Sequence, residues 1–104
     1  MRWILVCFGA AGLIAAAALK KGSPLDKLPP HIEQITWFGE RADFSPDGKR
    51  MAFMAKSFGD AFEVDLATRR VRCLTCSIPG AAFLRVQYLT NGDYLLNGPE
   101  KFKV

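Results

Sequence analysis

Cys73-Leu74-Thr75-Cys76 is the stretch of this 104-residue chain with the most reactive potential. Two thiols two residues apart close a small disulfide, stay separate, or supply half of a four-ligand zinc site, and the spacing leaves all three open. Haem attachment would need a histidine at the next position, where Ser77 stands. Dithiol redox chemistry draws its reactivity from a helix amino terminus that lowers a thiolate pKa, whereas this pair ends a predicted strand ahead of Ile78-Pro79.

The carboxylates Asp43, Asp47, Asp60, Glu63 and Asp65 raise the question of acid–base or calcium chemistry. Their order lacks the dense alternating ligand spacing of a calcium loop. Asp47 and Asp65 are better placed to cap turns with their side chains. With one histidine in the chain, His31, no Ser-His-Asp or Cys-His arrangement assembles without contest for that residue. No catalytic, cofactor or metal residue is therefore assigned, and no cofactor is expected.

Arg69, Arg70, Arg72 and Arg85 are the nearest approach to a basic patch. Arg70 and Arg72 share one face of a predicted strand, on an outer edge where positive charge discourages edge-to-edge association. The alternative role for the patch is contact with an acidic protein or a lipid headgroup. The net charge of +4 arises from 14 basic and 10 acidic residues that are intermixed, with no block of five like charges, which argues against a nucleic-acid partner.

Positioning these side chains falls to short strands. In Asp43-Phe44-Ser45-Pro46-Asp47-Gly48-Lys49, Pro46 pre-sets one turn dihedral and Gly48 supplies a positive φ, so the flanking runs read as a hairpin. Ala61-Phe62-Glu63-Val64-Asp65-Leu66 and Arg70-Val71-Arg72-Cys73-Leu74-Thr75 add two more strands of the right length and alternation, giving an antiparallel four-stranded meander over residues 41–76. The pattern then restarts. Phe44, Gly48 and Met51 are followed 44 residues later by Tyr88, Gly92 and Leu95, and Asn91-Gly92 replaces Asp47-Gly48 with the same tolerance of positive φ. A partial second unit is expected over residues 81–98, and a period in this range is that of propeller blades.

Before the meander come three segments. Residues 1–19 begin with Arg2 and continue uncharged and mostly apolar to Ala15-Ala16-Ala17-Ala18-Leu19, the arrangement of a secretory signal cut near Ala18. A retained anchor is the rival, since a helix over the apolar run reaches about 25 Å. Lys20 and Lys21 would then oppose placing the remainder outside. Export leaves Cys73 and Cys76 as an even pair, which suits an oxidising compartment. Residues 20–30 are a Pro- and Gly-containing linker. Residues 31–38 are expected to hold a strand, His31 to Thr36, from another partial blade, with Trp37 and Phe38 packed between blades.

Residues 42–53, continued by Val64-Asp65-Leu66-Ala67-Thr68 and Leu74-Thr75, resemble the WD-repeat-like propeller unit of the TolB-like family; residues 83–98 resemble it less closely. Leu89-Thr90-Asn91-Gly92 stands where the family pattern has Ser-Pro-Asp-Gly. The resemblance implies an all-β fold, one full blade and pieces of two others after an amino-terminal apolar helix. It also implies a non-catalytic scaffold that binds a protein through loops and sheet edges in the periplasm or outside the cell. Similar blades are attached to prolyl-oligopeptidase-like hydrolases, so a propeller piece of such an enzyme is the alternative, and a membrane-anchored structural protein a third. Incomplete blades leave apolar faces such as Met51, Phe53, Phe62, Val64 and Val71 partly uncovered, so the expectation is a fragment of a longer reading frame, a chain that self-associates through its sheet edges, or a degenerate gene product, with membrane contact confined to residues 1–19 if these are retained.

Overall fold

The computed structural model describes residues 21–80 and 82–99; the leader expected at residues 1–19 lies outside the described residues. Strands β1 (Glu40–Phe44), β2 (Arg50–Met54), β3 (Ala61–Asp65) and β4 (Val71–Cys73) form an antiparallel sheet in chain order. Strands β5 (Arg85–Tyr88) and β6 (Tyr94–Asn97) form a separate antiparallel hairpin. The described chain is therefore all-β apart from a 3-10 turn, Pro24–Lys27, inside the expected linker. Among the described residues no helix is long and apolar enough to cross a membrane.

Side-chain hydrogen bonds close the turns. The β1–β2 reversal is held by Asp47 Oδ1, which accepts from Ser45 Oγ at 2.6 Å and from the Lys49 amide at 3.0 Å, while Ser45 Oγ accepts from the Arg50 amide at 3.0 Å. Gly48 sits at φ +68°, a conformation that costs a residue with a Cβ about 1 kcal/mol or more. After β3, Asp65 Oδ1 gathers the amides of Ala67 and Thr68 and the Thr68 hydroxyl, and Arg69 takes φ 61°. Between β5 and β6, Gly92 at φ +90° donates to the Leu89 carbonyl at 2.9 Å. β5 ends and β6 begins 44 residues after β1 ends and β2 begins. Phe44 pairs with Met51 but Tyr88 with Tyr94, so the second loop is shorter by one residue.

Register then sorts the side chains. The pairings place Phe44, Met51, Val64 and Val71 in one row across the four strands, and Asp43, Ala52, Glu63 and Arg72 in the adjacent row on the opposite face. On the second face Ala52, Met54 and Ala61 are buried together with Val86 of β5, and Leu74, Phe83, Tyr88, Tyr94 and Leu96 pack around them. The β5–β6 hairpin thus lies on this face, anchored also by paired Gly59 and Phe83 amide–carbonyl bonds of 3.2 and 3.0 Å.

The structure departs from expectation at residues 31–36, at the apolar first face and at Trp37. Residues 31–36 form no strand, because this segment crosses the first face instead of extending an edge. Ile35 packs on Met51, Phe53 and Val64, and the Phe38 ring meets Phe53 and Phe62 edge-on at 5.4 and 5.3 Å. Pairing along an edge would carry those side chains away from the cluster. Met51, Phe53 and Val64 are accordingly buried rather than half-covered, each such side chain contributing about 1.5–3 kcal/mol. Val71 remains 42% exposed. Trp37 and Phe38 do not act as a pair, for Trp37 is 89% exposed.

Candidate functional site

The Asp43, Ala52, Glu63, Arg72 row meets the hairpin in a cluster of polar side chains. Glu63 is central to β3 and only 3% exposed. Its Oε1 accepts from Arg72 Nε at 2.8 Å, and its Oε2 accepts from the Tyr88 hydroxyl at 2.5 Å and from the Tyr94 hydroxyl. Arg50 Nη1 stands 3.5 Å from Oε2, with its guanidinium carbon 5.8 Å from the centre of the Tyr88 ring. Arg72 Nη2 also donates to the Tyr94 hydroxyl at 3.2 Å. The Tyr88 amide donates to Asp43 Oδ2 at 2.8 Å.

Such a carboxylate is tolerated because both of its oxygens accept hydrogen bonds and two guanidiniums stand beside it. Burial pushes the Glu63 carboxyl upward, and the Tyr88 and Tyr94 hydroxyls with the Arg72 guanidinium outweigh it, holding the group below its ordinary 4.5. The tyrosines move the other way: burial, then the hydrogen bond to the Glu63 anion, raises both phenols above 10.0. Neither phenol is poised for proton transfer near neutrality, and Glu63 stays an anion. The arrangement is a network of hydrogen bonds and ion pairs that ties the hairpin to the sheet.

Beside the cluster a cavity of about 510 Å³ opens above β3 and β4, lined by Arg50, Glu63, Asp65, Thr68, Arg70, Val71 and Arg72. The four arginines named from the sequence are thereby separated. Arg70 and Arg72 line this cavity, but Arg72 is bound to a buried carboxylate instead of being merely solvated. Arg69 pairs with Glu33. Arg85 lies on the other hairpin and alternates with the inward Val86, so it faces away. The basic patch therefore reduces to Arg50, Arg70 and Arg72. Arg50 escaped the sequence analysis because it opens β2 and joins the others only across two strands.

Cys73 and Cys76 form a disulfide in the structure, with Sγ atoms 1.95 Å apart. Asp60 comes within 4.8 Å of both sulfurs, but a disulfide has no thiolate to offer a metal. Asp60 instead accepts from Thr75 Oγ1 at 2.7 Å, and the same hydroxyl accepts from the Ala61 amide at 3.0 Å. The bridge therefore secures the β4 end of the sheet. Pro46, Asp47, Gly48, Asn91 and Gly92 all lie in the two hairpin turns, and Pro46, Asp47, Asn91 and Gly92 flank a smaller cavity with Arg50 and Thr90.

In the sequence Glu63 stands only as one of five carboxylates and Tyr88 only as the repeat counterpart of Phe44, and nothing there joins them to each other or to Tyr94. A usable signal was available: a glutamate between Phe62 and Val64 sits on the face opposite two apolar side chains, and Tyr88 and Tyr94 flank the second turn symmetrically. No protein-family model, curated protein or solved structure matches the chain.

Proposed function

We propose that the chain is an exported, non-catalytic protein-binding module of the propeller-blade type. One observation carries this reading. The hairpin that begins the second 44-residue period stacks face to face on the first four-stranded sheet, as successive blades do, and ties itself there through Tyr88 and Tyr94 to Glu63. In such a stack the sheet edges and turns are left for a partner, and binding proceeds by adding an extended segment to an edge or filling the space between blades. The apolar residues 1–19, with their Ala-rich end, support export, and the Cys73–Cys76 bridge suits an oxidising compartment.

Secretion of the full chain from a bacterial host, followed by intact mass measurement, tests the export half. A product shortened by about 18 residues in the exported fraction is expected; full-length chain retained in the cells refutes it. For the binding half, a random peptide library is selected on the exported product. Extended sequences sharing a consensus are expected, and repeated selections without any consensus would sink the proposal.

A further inference from the structure

We infer that the cavity above β3 and β4 is a receptor for the acidic side chain of an extended peptide laid along the free edge of β4; this rests on the protein-binding reading above. Among the described residues β4 is the last strand of its sheet, with no described strand beside its outer backbone groups. Its residues Val71 and Arg72, with Arg70 just before it, form one wall of the cavity.

Charge selects the ligand. Three guanidiniums, from Arg50, Arg70 and Arg72, face two carboxylates, Glu63 and Asp65. Asp65 is committed to the Ala67 and Thr68 amides, and Glu63 to Arg72 and two phenols. Among the described residues Arg70 makes no ion pair, and its side chain is exposed. The cavity thus keeps an unmatched guanidinium whose planar fork suits a carboxylate. Volume decides what carries that carboxylate. At about 510 Å³ the space is far larger than a single inorganic anion needs, so a peptide segment fills it better.

Binding of two labelled hexapeptides to the exported product tests the inference by fluorescence anisotropy: one alternates threonine and glutamate, the other threonine and glutamine. The glutamate peptide should bind at least about tenfold more tightly, a preference that Arg70→Ala abolishes while leaving the circular dichroism spectrum unchanged, as the preference should weaken with added salt. Equal affinity for the two peptides, a preference surviving Arg70→Ala, or displacement by inorganic phosphate at matched concentration overturns it. If neither hexapeptide binds but library selection still gives a consensus, this inference falls and the binding module stands; if selection also fails, both fall.

Discussion

Tyr88 reaches across the sheet to Glu63, its hydroxyl 2.5 Å from Oε2, while its own amide is held by Asp43 two strands away. Ala52, fully buried on the intervening strand, lies between these two anchors and packs against the tyrosine. One residue thereby fixes the hairpin to β1 and β3 at once, and the alanine leaves the room for it. The hairpin and sheet are accordingly expected to unfold as one unit, since a lone two-stranded hairpin is marginally stable at best and its loss would uncover the apolar cluster of Ala52, Met54 and Ala61.

Removing the carboxylate should loosen that attachment. Glu63→Ala strands two partly buried phenols, while Arg50 and Arg72 can turn to water, so a loss of about 2–3 kcal/mol is expected; Tyr88→Phe should cost about 1 kcal/mol. In urea unfolding, the double variant should lose less than the sum of the two. Strict additivity would show that the pair does not couple the hairpin to the sheet.

The same cluster sets the pH range. Glu63, Asp47 and Asp65 are held below their ordinary values of 4.5, 3.8 and 3.8. A depressed carboxylate stabilises above its unfolded pKa, and that contribution disappears as pH falls through the folded one. Tyr88 and Tyr94, raised above 10.0, stabilise below their unfolded pKa and lose this as pH rises beyond it. A plateau of melting temperature between about pH 5 and 9 should therefore fall off below 4 and above 10. These are the two tyrosines of the chain, so phenolate absorbance should stay absent to above pH 10 and then rise together with unfolding. Ordinary titration near 10 in the folded protein would contradict the cluster.

Gly39 and Gly48 both hold positive φ, yet they should respond differently to alanine. At Gly39, φ is +114° and an added Cβ would lie 2.4 Å from Phe53 Cδ2 and 3.2 Å from the Met54 carbonyl oxygen. At Gly48 nothing stands within 4 Å. Gly48→Ala should cost about 1 kcal/mol from backbone strain alone, and Gly39→Ala about 3 kcal/mol or more, because Phe53 must shift against Phe38 and Phe62. Similar losses in thermal unfolding would mean that the segment before β1 does not cover the sheet.

The turns were legible because their chemistry is local: Pro46-Asp47-Gly48 and Asn91-Gly92 announce reversals whatever surrounds them, and the alternation in residues 61–65 follows from a two-residue period. Glu63 was not legible as a hub, since its importance appears only once β3 is registered against Arg72 and the hairpin delivers Tyr88 and Tyr94. His31 to Thr36 misled for a related reason. Its alternation suits a strand, but Ile35 is drawn to the apolar face by Phe53 and Val64, a contact that sequence spacing does not encode.

The disulfide closes a very short loop, so its effect on stability should be modest and local. By the chain-entropy estimate for so few residues, Cys73→Ser with Cys76→Ser should cost about 2 kcal/mol. Leu74 and Thr75 lie inside the loop and both bond to Ala61, the first through its amide to the carbonyl at 2.8 Å, the second through its hydroxyl. Amide exchange should therefore quicken at Ala61 and Leu74 and stay unchanged at Met51 and Ala52. Faster exchange spread evenly over all six strands would show that the bridge supports the whole fold rather than one corner.

The row on the opposite face carries the last expectation. Met51 and Val64 at its centre are covered, but Phe44 and Val71 at its two ends are 59% and 42% exposed, and each sits on a strand that ends the sheet among the described residues. Exposed apolar side chains on unpaired edges favour pairing with another copy. A lysine at each end would leave the covered centre intact while opposing such contact by charge. Sedimentation velocity should therefore show concentration-dependent association of the protein, suppressed in the Phe44→Lys, Val71→Lys variant with its melting temperature shifted by only a few degrees. Association that persists in this variant would move the contact to the β5–β6 hairpin, where Leu89 and Leu95 are exposed.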